Sequence, residues 1–147
     1  MQRIAERAFA LRQMHELDPR EIPDETLVDR ILASERITDV LECWPMRGRL
    51  KEVYLGGVVF LRAGLSPGER CWLKAHALYH HLEDDGNEIH LDAVSHIGMR
   101  QSERRAEVFT GWLLLGESWR GRDGWEIAEL SGLPEQRIAR WLRLKGN

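Results

Sequence analysis

Long apolar runs, paired cysteines and surplus charge are all scarce in this sequence. No stretch approaches the roughly 18 apolar residues of a membrane span, so no transmembrane helix is expected. The N-terminus, M-Q-R-I-A-E-R-A, lacks the apolar core and small-residue cleavage site of a secretion signal, which points to a cytoplasmic protein. The net charge is −3, with 21 basic against 24 acidic residues, so the overall basic signature of a nucleic-acid binder is missing. Only Cys43 and Cys71 carry thiols, far apart and without a C-x-x-C partner. That excludes a disulfide framework, reads best as two free thiols in a reducing compartment, and argues against a cysteine metal ligand. Internal repeats and low-complexity segments are also lacking.

What remains is ordinary for one globular domain: 147 residues, 43% hydrophobic and 31% charged. The stretch that organises it is Ser66 to about Asp84, S-P-G-E-R-C-W-L-K-A-H-A-L-Y-H-H-L-E-D. Ser66 suits an N-cap, Pro67 the first helical position, and Glu69 the partner position of a capping box. Gly86-Asn87 supplies a stop. Within this helix His76 and His80 are four residues apart, which places two imidazoles on one face, within reach of a single metal ion.

Around that helix the pattern predicts both helices and strands. Residues 2–16 read as a helix striped by Ile4, Ala8, Leu11 and His15. His15 reads as a helix-end histidine. Asp18-Pro19 and Ile22-Pro23 break the chain, and a second helix starts behind Asp24 with Leu27, Val28, Ile31 and Leu32 as its buried face. Val40, Leu41, Cys43 and Trp44 make a first strand, closed by Pro45. Leu50, Val53 and Leu55 mark a second, and Val58 to Leu61 a third. Gly56-Gly57 between the last two is a hairpin signal, so the expectation is a small antiparallel sheet of three strands. Residues 87–101, with His90, His96 and Gly98, read as polar and irregular. A further helix runs from Ser102 to Gly116, burying Ala106, Phe109, Leu113 and Leu114.

A zinc site needs at least a third protein ligand from another element, and Glu103, at the start of that helix, is the best candidate. The order of parts then carries a resemblance: a strand pair, S-P-G-E-R-C-W-L-K-A-H-A-L-Y-H-H-L-E-D-D-G-N, and E-R-R-A-E-V-F-T-G-W-L-L-L. Over roughly residues 24–144 the chain resembles the ImmA/IrrE family of metallo-endopeptidases. The family's motifs are H-E-L-G-H-H-L-L-H and E-x-x-A-x-x-F-A-x-x-L-L. The resemblance implies a minimal zincin-like α+β fold, with an N-terminal helical extension over residues 1–23, a core over 24–116 and a terminal helix pair over 117–147. It implies zinc as the cofactor, held by His76, His80 and Glu103. It also implies a protein substrate or repressor partner in transcriptional regulation, of the kind found in mobile elements and stress responses.

Three positions depart from the family pattern. Ala77 stands where the general base belongs, Tyr79 where glycine is usual, and Asp84 where the longer motif ends in histidine. The first is chemically decisive, because a carboxylate must take a proton from the attacking water and pass it to the leaving amine; losing such a group costs about 10²–10⁴-fold. Weak or absent peptidase activity follows, and Ala77→Glu is expected to restore the missing group. Glu83, seven residues after His76, and Glu107, four after Glu103, are the stand-ins to weigh. His81, His90 and His96 read as structural or exposed, and Tyr79 as packing.

The end of the chain carries a second pattern. W-E-I-A-E-L-S-G-L-P-E-Q-R-I-A-R-W has Ala128, Gly132, Ile138 and Trp141 at the spacing of a helix-turn-helix. Gln136, Arg137 and Arg140 would then face outward, where such side chains can read bases. The alternative to a peptidase relative is therefore a non-catalytic regulatory module that binds DNA or a repressor protein through this tail. Simple packing of the pair on the rest of the domain is the plainer reading. Six tryptophans, four of them at 112, 119, 125 and 141, favour a tightly packed terminal region.

Overall fold

The computed structural model describes residues 2–43, 46, 48–83, 90–92 and 101–146, with Cys43 and residues 90–92 described through their backbone. Trp44, Pro45, Asp84, Gly86, Asn87, His96 and Gly98 lie outside these residues. The order is α1 (Gln2–Met14), α2 (Glu25–Ser34), β1 (Asp39–Cys43), β2 (Glu52–Leu55), β3 (Val58–Arg62), α3 (Pro67–Glu83), β4 (His90–Asp92), α4 (Gln101–Leu115), α5 (Gly124–Ser131) and α6 (Glu135–Leu144). The fold is α+β, as the sequence pattern implies.

Local chemistry accounts for the element starts. Asp24 caps α2, its carboxylate accepting from the Leu27 N–H at 2.8 Å. Ser66 caps α3, its Oγ accepting from the Glu69 N–H at 3.2 Å. The capping box is half built: the Glu69 carboxylate accepts from Lys51 Nζ at 2.6 Å. The Gly56-Gly57 hairpin forms as expected, with φ of 54° and 86° at its two central residues, a conformation glycine adopts without steric cost.

The sheet corrects the expected three-stranded antiparallel arrangement in two ways. Its order is β1-β3-β2-β4, and β1 pairs with β3 in parallel, Asp39 opposite Val58 and Cys43 opposite Arg62. The chain leaves β1, skips one strand position, and returns with β3 filling the gap. Alternation of side chains identifies each strand but says nothing of which neighbour it will take. The second correction is β4, which falls inside the stretch read as irregular and pairs antiparallel with β2. Three residues are too few for a period-2 signal.

On β2 the buried face is Glu52 and Tyr54, while Leu55 is 43% exposed. The polar register points inward because α3 lies over that face with a polar centre of its own. β3 contributes Val59 and Leu61 to the same side. α3 packs against α2, α4, β2 and β3, and every residue from Cys71 to His80 is buried. A helix covered on all sides has no solvent stripe, so even Lys74 is buried, held by Asp29 at 2.6 Å and Glu25 at 3.3 Å. α1 packs on α4 and is tied down by Arg12, which donates to the carbonyls of Leu113, Asp18 and Glu21. A side chain on Gly68 would run into the Gly132 carbonyl, so the first turn of α3 rests directly on the α5–α6 turn.

Candidate metal centre

The i, i+4 spacing on α3 sets the His76 and His80 rings 4.9 Å apart and nearly perpendicular. The first turn of α4 crosses them and brings Glu103 to both: Oε2 lies 3.1 Å from His76 Nε2, and Oε1 lies 3.0 Å from His80 Nε2. One ligand atom from each of the three residues falls within 4.8 Å of the others, so the three expected ligands do converge. Two imidazole nitrogens and a carboxylate oxygen are a borderline donor set that suits a divalent transition metal. Each imidazole has its own oxygen of the carboxylate at 3.0–3.1 Å, and the three candidate ligand atoms lie within 4.8 Å of one another. Both histidines are buried, while the Glu103 side chain is 22% exposed, so the group reaches solvent on the Glu103 side.

Sequence reasoning missed Glu52. From β2 its Oε2 accepts from His76 Nδ1 at 3.1 Å, with both groups buried. An ionised carboxylate can only accept, so Nδ1 carries the proton and Nε2 is turned towards Glu103. Nothing local marks Glu52, since Val53 and Leu55 suggest the opposite strand face. The signal lies only in the pairing of β2 beneath α3.

Charge in the centre is balanced rather than neutral. Burial alone would lower the His76 pKa, but the Glu52 charge and the hydrogen bonds with Glu103 and Glu52 outweigh it, and the pKa is raised well above the usual histidine value. Burial alone would raise the Glu103 pKa, yet its hydrogen bonds with His76 and His80 hold the carboxyl well below the ordinary range.

Position 77 and its stand-ins are placed unambiguously. Ala77 is fully buried, as are His76 before it and His80 one turn on, and it belongs to the hydrophobic core cluster. Glu83 is 47% exposed and ion-paired with Arg7, remote from proton transfer at the centre. Glu107 is buried next to the centre, and both its oxygens are engaged: Oε2 accepts from Trp72 Nε1 at 3.2 Å and Oε1 from Arg137 Nη1 at 3.0 Å.

His81 and His15 stand elsewhere. His81 Nδ1 meets the Tyr54 hydroxyl at 2.6 Å and Nε2 meets the Glu35 carbonyl at 2.6 Å, so it ties α3 to β2 and α2. His15 meets Ser34 at 3.1 Å near the end of α1. Tyr79 packs on Phe109, as expected.

In the terminal pair, Gly132 takes the left-handed turn between α5 and α6 with φ 72°. Ile138 and Trp141 are buried and Gln136 is exposed, in keeping with the pattern. Arg140 is half-buried. Arg137 departs from the expected outward face: its side chain is 12% exposed and turned inward onto Glu107 and towards Glu69. The pull is electrostatic, since Glu107 is buried beneath it and an unpaired buried carboxylate is costly. No helix among the described residues is long and apolar enough to cross a membrane. No protein-family model, curated protein or solved structure matches the chain.

Proposed function

We propose that the chain is a zinc-binding relative of the ImmA/IrrE metallo-endopeptidases, built on a minimal zincin-like fold, with weak or no peptidase activity of its own. The observation that carries this reading is the convergence of His76, His80 and Glu103 with Glu52 behind His76. These residues would hold the metal, and a bound zinc would supply Lewis-acid polarisation of a carbonyl or a water. The chain's own groups then set the limit. Glu52 fixes the His76 tautomer. Ala77 offers nothing that can take a proton, Glu83 is paired elsewhere, and Glu107 is held by Trp72 and Arg137. Such a centre orients and binds better than it hydrolyses, and a transcriptional regulator held in a neighbouring groove is the partner the family resemblance implies.

Ala77 and the α5–α6 pair favour a second reading, a non-catalytic regulatory module binding a repressor protein or DNA. The inward turn of Arg137 weakens the DNA branch, because it removes one of three proposed reading residues from the surface.

The test is metal analysis of purified protein by mass spectrometry, beside a folded His76→Ala/His80→Ala double variant. About one zinc per chain in the native protein and close to none in the variant is the expected result. Equal metal content in the two would refute the assignment.

A further inference from the structure

The second half of α4, the turn after it and the end of α6 bring three indoles together. Trp112, Trp119 and Trp141 have ring centroids 6.2, 5.2 and 6.3 Å apart, taken in pairs, and the rings meet at 75°, 83° and 79°. Three rings at near right angles form the walls of a box rather than a stack. The box holds a cation: Lys145 Nζ lies 3.7 Å from the Trp119 ring centroid and 5.8 Å from those of Trp112 and Trp141. Trp141 is buried, but Trp112, Trp119 and Lys145 are each half-buried, so the box reaches the surface. Arg120 also lies over Trp119, at 4.8 Å, and its charge is answered by Glu117.

Indole faces carry the negative end of a quadrupole and attract cations. A primary ammonium is compact and strongly hydrated, so it must surrender water to enter such a box. An ammonium bearing methyl groups is weakly hydrated, spreads its charge, and presents apolar surface to every wall. The box therefore suits a methylated ammonium better than it suits the lysine it contains. Lys145 is also free to leave. It caps the end of α6, one turn after Trp141, with its N–H on the Trp141 carbonyl at 2.8 Å, and its flexible stem can withdraw without moving the helix.

We propose that the three-tryptophan box is a binding site for a methylated ammonium group, with Lys145 as the resident cation that such a ligand displaces. The group can come from a small quaternary ammonium solute or from a trimethylated lysine side chain. The site is separate from the metal centre and does not depend on it.

The experiment is a titration of the full chain followed by tryptophan fluorescence. The probes are tetramethylammonium, choline, a short polar peptide containing trimethyl-lysine, and the neutral carbon isostere of choline. Saturable binding of tetramethylammonium is expected, about 2- to 30-fold tighter in Lys145→Ala, the range set by one cation–π competitor. Binding should vanish when Trp119→Ala is added to Lys145→Ala. The tighter of choline and the peptide identifies the source of the group. Lys145→Met keeps the stem and serves if the alanine variant unfolds. Two results overturn the proposal: no saturable binding in either Lys145 variant at an unchanged melting midpoint, or equal binding of the neutral isostere.

Discussion

At its N-terminal half, α4 puts Glu103 and Glu107 into a buried polar centre; further along, the same helix puts Gly111 and Trp112 into an aromatic cluster. The polar centre draws on β2, α3, α4 and α6, through residues as far apart as Glu52 and Arg137. The aromatic cluster draws chiefly on the chain from Trp112 to Lys145, with Phe9 of α1 set against Trp112 at 5.4 Å. The two also fail differently. In the polar centre every charge has an answering charge, so removing one member strands another in low dielectric. In the aromatic cluster area and ring contact dominate, so a change costs in proportion to the packing it disturbs.

Arg137→Leu tests the first half of that contrast with the largest effect. It leaves Glu107 buried with Trp72 as its remaining hydrogen-bond donor, and a loss of about 3–5 kcal/mol in chemical denaturation is expected. Glu107→Gln in the same chain should recover part of it. A loss below about 0.5 kcal/mol, the ordinary range for a surface substitution, would place Arg137 outside the centre and return it to the candidate reading face.

Gly111→Ala probes the aromatic side. A Cβ there would run into the Trp141 ring, which cannot yield without opening the α4–α6 contact. The expected loss is about 1–3 kcal/mol, despite alanine's better helix propensity. An unchanged melting midpoint would show that the two helices are not in close contact.

Glu52→Gln sharpens the comparison from the metal side. The ligands stay, but the group that orients His76 loses its charge, and zinc affinity is expected to fall by about 10–100-fold in a competitive chelator titration. Unchanged affinity would make Glu52 a bystander.

The smallest effect belongs to Cys71, which lies outside both regions. Burial, followed by the nearby Glu25 charge, pushes its pKa up from 9.0 to about 11. Below about pH 9 the thiol is protonated folded or unfolded. Between roughly 9 and 11 only the unfolded chain ionises, so this group lowers stability as pH rises through that window. Peptide mapping after alkylation at pH 8 should find Cys71 unmodified in the native protein and modified after unfolding; ready native labelling would contradict its burial.

How much of this was legible in the sequence follows the reach of local chemistry. The caps at Asp24 and Ser66, the Gly56-Gly57 hairpin and the shared face of His76 and His80 depend on residues within four positions of one another. Backbone geometry alone fixes such relations, so the pattern determined the helices, the hairpin and two of the three candidate ligands. Glu103 was legible because a helix start carries its first turn towards whatever it crosses. What only the tertiary structure decided is everything that depends on which element lies beside which. β3 inserts between β1 and β2, and only then does Glu52 lie beneath His76. α6 docks on α4, and only then does Arg137 meet Glu107 and do three separate indoles wall in Lys145. Those contacts are set by burial and charge balance summed over the whole chain, and no window of sequence contains that sum.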